Sequence, residues 1–279
     1  MTAVMPQMLN LGCGHRFHPA WVNVDIVPAT PEVTRWDVVR GIPFPDQHFD
    51  VVYHSHMIEH LRRSDVPGFL RECHRALKPG GIMRVATPDL ERLCAVYLEE
   101  LRASDAANHE WMVIELLDQT VREKSGGGML DYLRQQPLAN EDFVLERIGE
   151  EGRGLLQAVR GSSDAHRAAS PNGFKRRLGR AVRRQSARVR EALLRKWYGD
   201  DALEALAIGK FRLSGEVHQW LYDRASLARV LVAAGFCDPV VRGAAESTIP
   251  GWSAFSLDTT AAGAVFKPDS MFMEVRRPL

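Results

Sequence analysis

Two glycines and an aspartate near the start of the chain have the spacing of a nucleoside-binding site. The stretch LNLGCGHRFHPAWVNVDI, residues 9–26, has the pattern of two short strands joined by a turn at Gly12, Cys13 and Gly14. Glycine allows the backbone to turn sharply and bring its N–H groups close to a ligand. Asp25 ends the second strand, where a carboxylate can accept hydrogen bonds from both hydroxyls of a ribose. The pattern therefore predicts a pocket for a ligand that contains a nucleoside.

The stretch HSHMIEH, residues 54–60, is a second concentration of reactive side chains. An imidazole can take up a proton near neutral pH, so His56 and His60 are the candidate general bases. His54 and His56 point the same way in an extended segment, and with His60 they form an alternative set of metal ligands. His60 falls where a helix should start, and the downstream sequence offers no evident companion ligands. We therefore expect no metal site.

Four segments rich in Val and Ile predict the strands that position these residues: MLNLGC, WVNVDI, FDVVYHS and IMRVATP. Between the last two, apolar residues at helical spacing predict a helix that ends at the PGG motif of residues 79–81. This succession indicates a parallel sheet. The predicted fold class is α/β, a Rossmann-like, doubly wound and mostly parallel sheet. Gly14, Asp25 and Asp37 would then surround one crevice at the carboxyl ends of its strands.

The pattern becomes helical beyond residue 97. We predict that residues 1–97 and 213–279 form the two parts of the sheet-bearing domain, and that residues 98–212 form a large helical insertion or lid. Within the insertion, residues 174–197 combine an apolar stripe with many Lys and Arg residues, which predicts a basic amphipathic helix. The β/α pattern returns with a helix that ends at Gly235 and a strand that starts near Phe236.

A dinucleotide such as NAD is the near alternative for the nucleoside pocket. Its pyrophosphate requires a complete GxGxxG motif and a helix amino terminus behind the glycine turn. Here the third glycine is absent, and the segment from Leu11 to Val22 is about the minimum length for a crossover. A cofactor without phosphates does not need that helix. The short crossover therefore favours a nucleoside cofactor without phosphates over a dinucleotide.

The motifs together resemble the class I S-adenosylmethionine-dependent methyltransferases of the "type 11" group. The resemblance rests on LNLGCG, VNVDI, PFPDQHFDVV, EHL and LKPGG, which span residues 8–90. It continues through HQWLYDRASLARVLVAAGF, residues 218–236. That segment and the ending KPDSMFMEV resemble bacterial members associated with surface-polysaccharide gene clusters. The resemblance implies a methyltransferase that uses S-adenosylmethionine.

The resemblance also implies roles for individual residues in cofactor binding. Gly12, Cys13 and Gly14 would pass beneath the methionine part, and Asp25 would hold the ribose. The remaining expected contacts are Asp37 and the Val38 backbone at the adenine edge, with His54 and Ser55 on the sulfonium side. Asn10 stands where the family usually has an acidic residue. Its amide can still accept a hydrogen bond from the methionine ammonium group, but it brings no charge.

The expected reaction is in-line methyl transfer to the hydroxyl of a glycan, a sugar precursor or another small acceptor. His60 and His56 are the expected catalytic bases, because a sugar hydroxyl is a poor nucleophile. His218 and Tyr222 are expected to reach the acceptor from the other side. One alternative is a non-catalytic S-adenosylmethionine-binding partner protein, which the substitution at Asn10 keeps open. The less favoured alternative is a metal-dependent hydrolase that uses His54, His56 and His60.

Composition limits the partners and the location. The net charge of +1 gives no general reason to expect nucleic acid as a partner. The four cysteines form no CxxC pair, and neither a secretory signal nor a long apolar run is evident, so a cytoplasmic protein is expected. The basic segment 174–197 has three interpretations: a solvated helix packed on the domain, a peripheral contact with an anionic membrane surface, or a site for an anionic acceptor or nucleic acid. The last is the least favoured, and the oligomeric state stays open.

Overall fold

A seven-stranded sheet forms the centre of the molecule. The computed structural model describes residues 6–161 and 193–279. Seven strands lie in the order β3-β2-β1-β4-β5-β7-β6 across one sheet. Their bounds are β1 Met8–Leu11, β2 Val22–Asp25, β3 Thr34–Arg35, β4 Phe49–Ser55, β5 Leu77–Pro88, β6 Cys237–Arg242 and β7 Ser270–Arg276.

The strand directions confirm the predicted fold class. The first five strands are parallel, and β7 lies antiparallel between β5 and β6. The order 3-2-1-4-5 is that of the doubly wound Rossmann sheet. It reverses between β1 and β4, and in such sheets ligands bind at the carboxyl ends of the strands at this point. The glycine turn after β1 and the histidines after β4 both lie there.

The described helices fall into two groups. The first packs on the sheet or follows its strands, and comprises α1 Val66–Ala76, α7 Arg224–Ala233 and the short α8 Trp252–Phe255. The second belongs to the predicted insertion and comprises α2 Leu90–Ala103, α3 Ala106–Val121, α4 Gly127–Leu133, α5 Glu141–Gly161 and α6 Asp200–Arg212. Helix α2 begins before residue 98, so it runs across the expected domain boundary. The domain boundaries themselves stay a prediction. Most of the basic segment 174–197 lies outside the described residues.

One face of the sheet is covered by helices and the other by a long connection. Leu70 and Cys73 of α1 and Leu231 of α7 are fully buried in the main core. On the opposite face, the crossover from β1 to β2 has no helix. The rings of Trp21, Tyr53 and Trp252 pack there instead, with Trp252 supplied by the connection from β6 to β7. The short crossover noted in the sequence is thus compensated by residues from near the carboxyl terminus.

A buried guanidinium fixes that long connection to the sheet. Arg84 of β5 is fully buried, and its Nε and Nη1 atoms lie 2.8 Å and 2.9 Å from carboxylate oxygens of Asp258 and Glu274. It also donates to the backbone carbonyls of residues 243, 244 and 246. The Tyr53 hydroxyl donates to Asp258 at 2.5 Å. Because each partner is buried, the geometry of the connection depends on this ion network.

The insertion has its own core and docks on the same connection. Trp111 of α3 is fully buried, and an ion pair between Glu115 and Arg147 at 2.8 Å joins α3 to α5. Helix α5 kinks at Gly149, which has a φ of 59°. A Cβ at Gly149 would lie 2.5 Å from Pro268, so glycine permits this close approach. In residues 6–161 and 193–279 no helix is long and apolar enough to cross a membrane.

Replacement of Arg84 tests the ion network. Arg84→Met should lower the free energy of unfolding by about 3–5 kcal/mol, because the buried Asp258 would lose its ion pair and Glu274 would keep only the contact with Arg242 at 3.8 Å. Arg153→Met is the matched control, since Arg153 forms an exposed pair with Glu150 and should cost less than about 1 kcal/mol. Urea unfolding of both variants measures the difference. Equal losses would contradict the importance of the network.

Candidate functional site

The turn after β1 is shaped by two glycines in the left-handed region. Gly12 has a φ of 63° and Gly14 a φ of 52°. The Gly12 amide donates to the Val24 carbonyl at 2.8 Å, which keeps the turn against β2. A Cβ at Gly12 would lie 2.7 Å from Cγ of Met57, whereas a Cβ at Gly14 would meet no atom within 4 Å. The turn is therefore closed toward the core and open toward the crevice.

The two aspartates of the predicted nucleoside site lie at neighbouring strand ends. Asp25 accepts hydrogen bonds from the backbone N–H groups of Gly14 at 2.8 Å and Val27 at 2.7 Å, which orient its carboxylate. Asp37 caps a short 3-10 turn, Val38–Arg40, by accepting from Val39 at 3.1 Å. The amide of residue 36 donates to the Asp25 carbonyl and brings the two segments together. The predicted ribose and adenine residues are thus adjacent.

Asn10 has a structural task that explains the departure from the family pattern. Its side chain is buried, and Nδ2 donates to the Arg16 carbonyl at 3.1 Å and to Oδ1 of Asn23 at 3.2 Å. Asn23 in turn donates to the carbonyls of His18 and Trp21. These bonds hold the helix-free crossover in place. A carboxylate at position 10 cannot donate a hydrogen bond, so this crossover requires an amide.

A cavity of about 410 Å³ opens beside the glycine turn, and we call it the loop cavity. On one side it is lined by Gly12, Cys13 and Gly14 with Ser55 and His56. The other side comes from the connection to β7 and from α5. The complete lining comprises Asn10, Gly12, Cys13, Gly14, His15, Arg16, Tyr53, Ser55, His56, Glu151, Leu257, Asp258, Phe266, Lys267, Ser270 and Phe272. Burial raises the pKa of the Cys13 thiol to about 11, so it remains neutral at physiological pH.

A second cavity of about 440 Å³ lies between the sheet and the insertion, and we call it the helix cavity. It is lined by His56, His60, Gln119, Arg122, Ser125, Gly126, Met129, Leu130, Leu133, Ile148, Glu151, Gly152, Leu155, Glu216, His218, Lys267 and Asp269. Three residues, His56, Glu151 and Lys267, line both cavities. The two cavities are therefore neighbours that share a wall.

His56 is held between two oxygen atoms on that shared wall. Its Nδ1 lies 3.1 Å from Oε1 of Glu59, and its Nε2 lies 2.7 Å from Oγ of Ser270. The His56 backbone has a φ of 48°, uncommon for a residue other than glycine, so the ring is aimed by local strain as well. The fully buried Glu59 also accepts from Oγ1 of Thr87 at 3.2 Å.

Burial and the surrounding histidines act in opposite directions on the pKa of Glu59. Burial raises the pKa of this carboxyl, but the hydrogen bond with His56 and the nearby His60 and His218 rings lower it well below its usual range. Glu59 is therefore ionised. Its backbone carbonyl accepts from the amides of Gln219 at 2.6 Å and Trp220 at 3.3 Å, which fixes the chain that returns from the insertion.

His60 and His218 meet at the base of the helix cavity. Their rings pack edge to face with centroids 4.6 Å apart. Burial lowers the pKa of His218 to about 3 and also lowers that of His60, so both imidazoles are neutral near pH 7. The structure thus brings together His56, His60 and His218, which the sequence analysis selected from two distant segments.

Five predicted site residues line neither cavity. Asp25, Asp37 and Val38 lie at neighbouring strand ends outside the two linings, and His54 and Tyr222 are buried. His54 was expected on the sulfonium side, but its side chain is fully buried and packs on the Phe69 ring of α1 at 5.3 Å. Successive side chains of a strand face opposite sides, so Ser55 reaches the loop cavity and His54 cannot. Tyr222 was expected at the acceptor, but it is 2% exposed in the main core and lines neither cavity. Burial raises its pKa to about 12.

Several residues of the site were missed by sequence reasoning. Glu59 appeared only as part of a helix start, although it orients His56. Lys267 forms an ion pair with Glu151 at 2.8 Å, and this pair stands between the two cavities. Lys267 and Ser270 belong to the KPDSMFMEV ending, which resembles the methyltransferase family, so the resemblance could have pointed to them as site residues. No pattern in α5 indicates Glu151.

Comparison with known proteins agrees with the predicted class and cofactor. Residues 9–85 match the family model described as "Methyltransferase domain". A protein of Mycolicibacterium smegmatis, named as a probable S-adenosylmethionine-dependent methyltransferase, is 46% identical over 59 residues. That alignment covers 20% of this chain and 22% of the relative, so the chain spans about a fifth of the curated relative that it matches. Residues 9–85, which the family model matches, contain the glycine turn, Asp25, Asp37 and the histidines after β4.

Solved structures show only distant likeness. An S-adenosylmethionine-dependent methyltransferase of Mesorhizobium loti has 13% identity and a TM-score of 0.38, with 98% of this chain and 91% of that chain covered. A methyltransferase from Archaeoglobus fulgidus has 11% identity and a TM-score of 0.38, with 98% of this chain and 86% of that chain covered. The fold assignment therefore rests on the strand order and directions described above.

Substitution of Asn10 by the acid that is usual in the family tests its structural task. Asn10→Asp should lower the free energy of unfolding by about 2–3 kcal/mol, because two donated hydrogen bonds are lost and a charge is buried. The control is Gln47→Glu, the same amide-to-acid change at an exposed residue. Urea unfolding at pH 7 measures both. A stable Asn10→Asp variant would show that the crossover does not need the amide.

Proposed function

We propose that the chain is an S-adenosylmethionine-dependent methyltransferase that methylates a hydroxyl acceptor. One observation carries the proposal: the loop cavity beside the glycine turn and the helix cavity under the insertion share a wall at His56. A methyl donor in the first and an acceptor in the second would face each other across that residue. Transfer by in-line displacement depends mainly on such positioning.

The loop cavity and the strand ends beside its glycine turn fit the proposed cofactor. The open side of Gly14 leaves room for a ligand close to the backbone, and the Asp25 carboxylate is already oriented by two N–H groups. Ile26 and Val27, exposed by 57% and 74%, provide apolar contact beside that carboxylate. Asp37 and Val38 follow at the next strand end. This series supports a nucleoside with an amino-acid tail, and no phosphate site is required.

S-adenosylmethionine would supply a methyl group activated on a sulfonium. The chain's own part in the reaction is to hold the acceptor and to take up its proton. With the Nδ1 proton of His56 toward the Glu59 carboxylate, Nε2 would accept the hydrogen bond of Ser270, and the acceptor hydroxyl would replace Ser270 as the donor to Nε2. His60 lines the helix cavity alone, whereas His56 lines both cavities, so of the two predicted bases His56 is the better placed.

The acceptor that we propose is a glycan or a sugar precursor. The resemblance to members associated with surface-polysaccharide clusters supports this class. The lining of the helix cavity includes the hydrogen-bonding groups of Arg122, Glu216 and Asp269. It also includes apolar side chains that suit the face of a sugar ring: Met129, Leu130, Leu133, Ile148 and Leu155. His218 lies among the polar groups, as a substrate-binding residue would.

The other candidate functions gain less from the structure. The non-catalytic alternative was based on Asn10, and the hydrogen bonds of Asn10 to the crossover give a structural reason for an amide at this position. The membrane contact proposed for residues 174–197 remains a prediction, because most of that segment lies outside the described residues.

Calorimetry tests the cofactor proposal. S-adenosylmethionine and its demethylated product should both bind the parent protein. Asp25→Asn should weaken each by about 1–3 kcal/mol, since a charged acceptor of the ribose hydroxyls is lost. The control is Glu32→Gln, which alters an exposed carboxylate on the following connection and should leave binding unchanged. No heat from either ligand with the parent protein would overturn the proposal.

A further inference from the structure

Three side chains at the base of the helix cavity form a set of possible metal ligands. Glu59, His60 and His218 each offer one ligand atom, and these atoms lie within 4.8 Å of one another. The set differs from the three histidines weighed in the sequence, because His54 faces the core and His218 comes from a distant segment. Two imidazoles and a carboxylate are a ligand set that proteins use for Zn²⁺ and related ions.

Two buried imidazole nitrogens of this cluster lack hydrogen-bond partners. Nδ1 of His60 and Nδ1 of His218 make no hydrogen bond with any residue in the part of the chain that the structure describes. His218 is 5% exposed and Glu59 is fully buried. Buried polar groups are normally hydrogen-bonded, so two unpartnered imidazole nitrogens beside an ionised carboxylate need an explanation. Neutral imidazole nitrogens with free lone pairs are the atoms that bind metal ions.

The charges around the cluster are compatible with a cation. Lys267 pairs with Glu151 at 2.8 Å, and Arg122 lies 2.7 Å from Asp118 and 3.4 Å from Glu216. These pairs neutralise the nearest fixed cations.

Within the cluster itself, the Glu59 carboxylate is the fixed charge. Its Oε1 has two lone pairs, so the atom can remain near His56 and still ligate an ion.

We propose that Glu59, His60 and His218 bind one first-row divalent transition-metal ion, with Zn²⁺ as the representative. Ligand bonds of about 2.0–2.2 Å require the three atoms to move closer than their present spacing, by roughly 1 Å, which side-chain rotation can supply. Three protein ligands leave a coordination position open, as in catalytic zinc sites. Here that position faces the helix cavity.

An ion at this place would have a use in the reaction. A metal ion with an open coordination position can bind a hydroxyl oxygen of the acceptor there and make the hydroxyl proton easier to remove. The proton would pass to His56, and the acceptor oxygen would form the new bond to carbon while the carbon–sulfur bond breaks. This use rests on the proposed function. Metal binding itself does not, and it can be measured without any methyl donor.

Metal binding is tested on the full chain with Zn²⁺ alone. Competition against a chromophoric chelator should show one tightly bound equivalent. X-ray absorption of the loaded protein should show nitrogen and oxygen ligands near 2.0–2.2 Å, including two imidazoles, and no sulfur near 2.3 Å. Absence of a tight equivalent, or ligation by any of the four cysteines, would overturn the proposal.

Variants assign the ligands. Loss of a residue that supports a metal ligand by a hydrogen bond weakens metal binding by roughly 10–100-fold. His218→Gln removes a ligand itself, so it should weaken Zn²⁺ binding by more than that. The control is His48→Gln, which changes an exposed histidine and should bind as the parent does. Unchanged binding by His218→Gln would also overturn the proposal. If that variant does not fold, the X-ray absorption spectrum of the parent decides.

The metal proposal and the proposed function can fail separately. Zn²⁺ binding with no heat from S-adenosylmethionine would retain the metal site and remove the methyltransferase. Binding of S-adenosylmethionine without Zn²⁺ binding would do the reverse.

Discussion

The buried carboxylate of Glu59 is the constraint on which the site depends. It holds His56 through Nδ1, accepts from Thr87 of β5, and its backbone carbonyl binds the chain that returns from the insertion. An ionised group without partners in such a place would cost several kcal/mol. The histidines, the sheet and the insertion are therefore positioned together around one charge, and the two cavities meet beside it.

A second buried charge fixes the opposite wall. Arg84 holds the connection from β6 to β7 against the sheet, and this connection supplies Phe266 and Lys267 to the cavities, next to Ser270 at the start of β7. The same connection covers the face that a crossover helix would otherwise cover. The long connection near the end of the chain thus covers the sheet face that the short crossover from β1 to β2 leaves open. The Asn10 amide holds that crossover in place.

Local patterns predicted the fold and the strand ends that carry much of the candidate site. The Val and Ile content of the sequence predicted the strands that lead to Gly12, Asp25 and His56. Apolar spacing and the PGG stop predicted helix α1. Side-chain direction was harder, since a shift of one residue along a strand reverses its face, and this explains the misplacement of His54. Strand β3 has only two residues and gave no signal. The roles of Glu59 and Glu151 depend on contacts between distant segments, which one sequence does not reveal.

A crystal structure with the demethylated cofactor bound tests the central claim most directly. We expect the amino-acid tail of the cofactor to lie in the loop cavity and its ribose to bind Asp25. The sulfur atom should face the helix cavity beside His56. A ligand bound outside the loop cavity, or a sulfur atom turned away from the helix cavity, would contradict it.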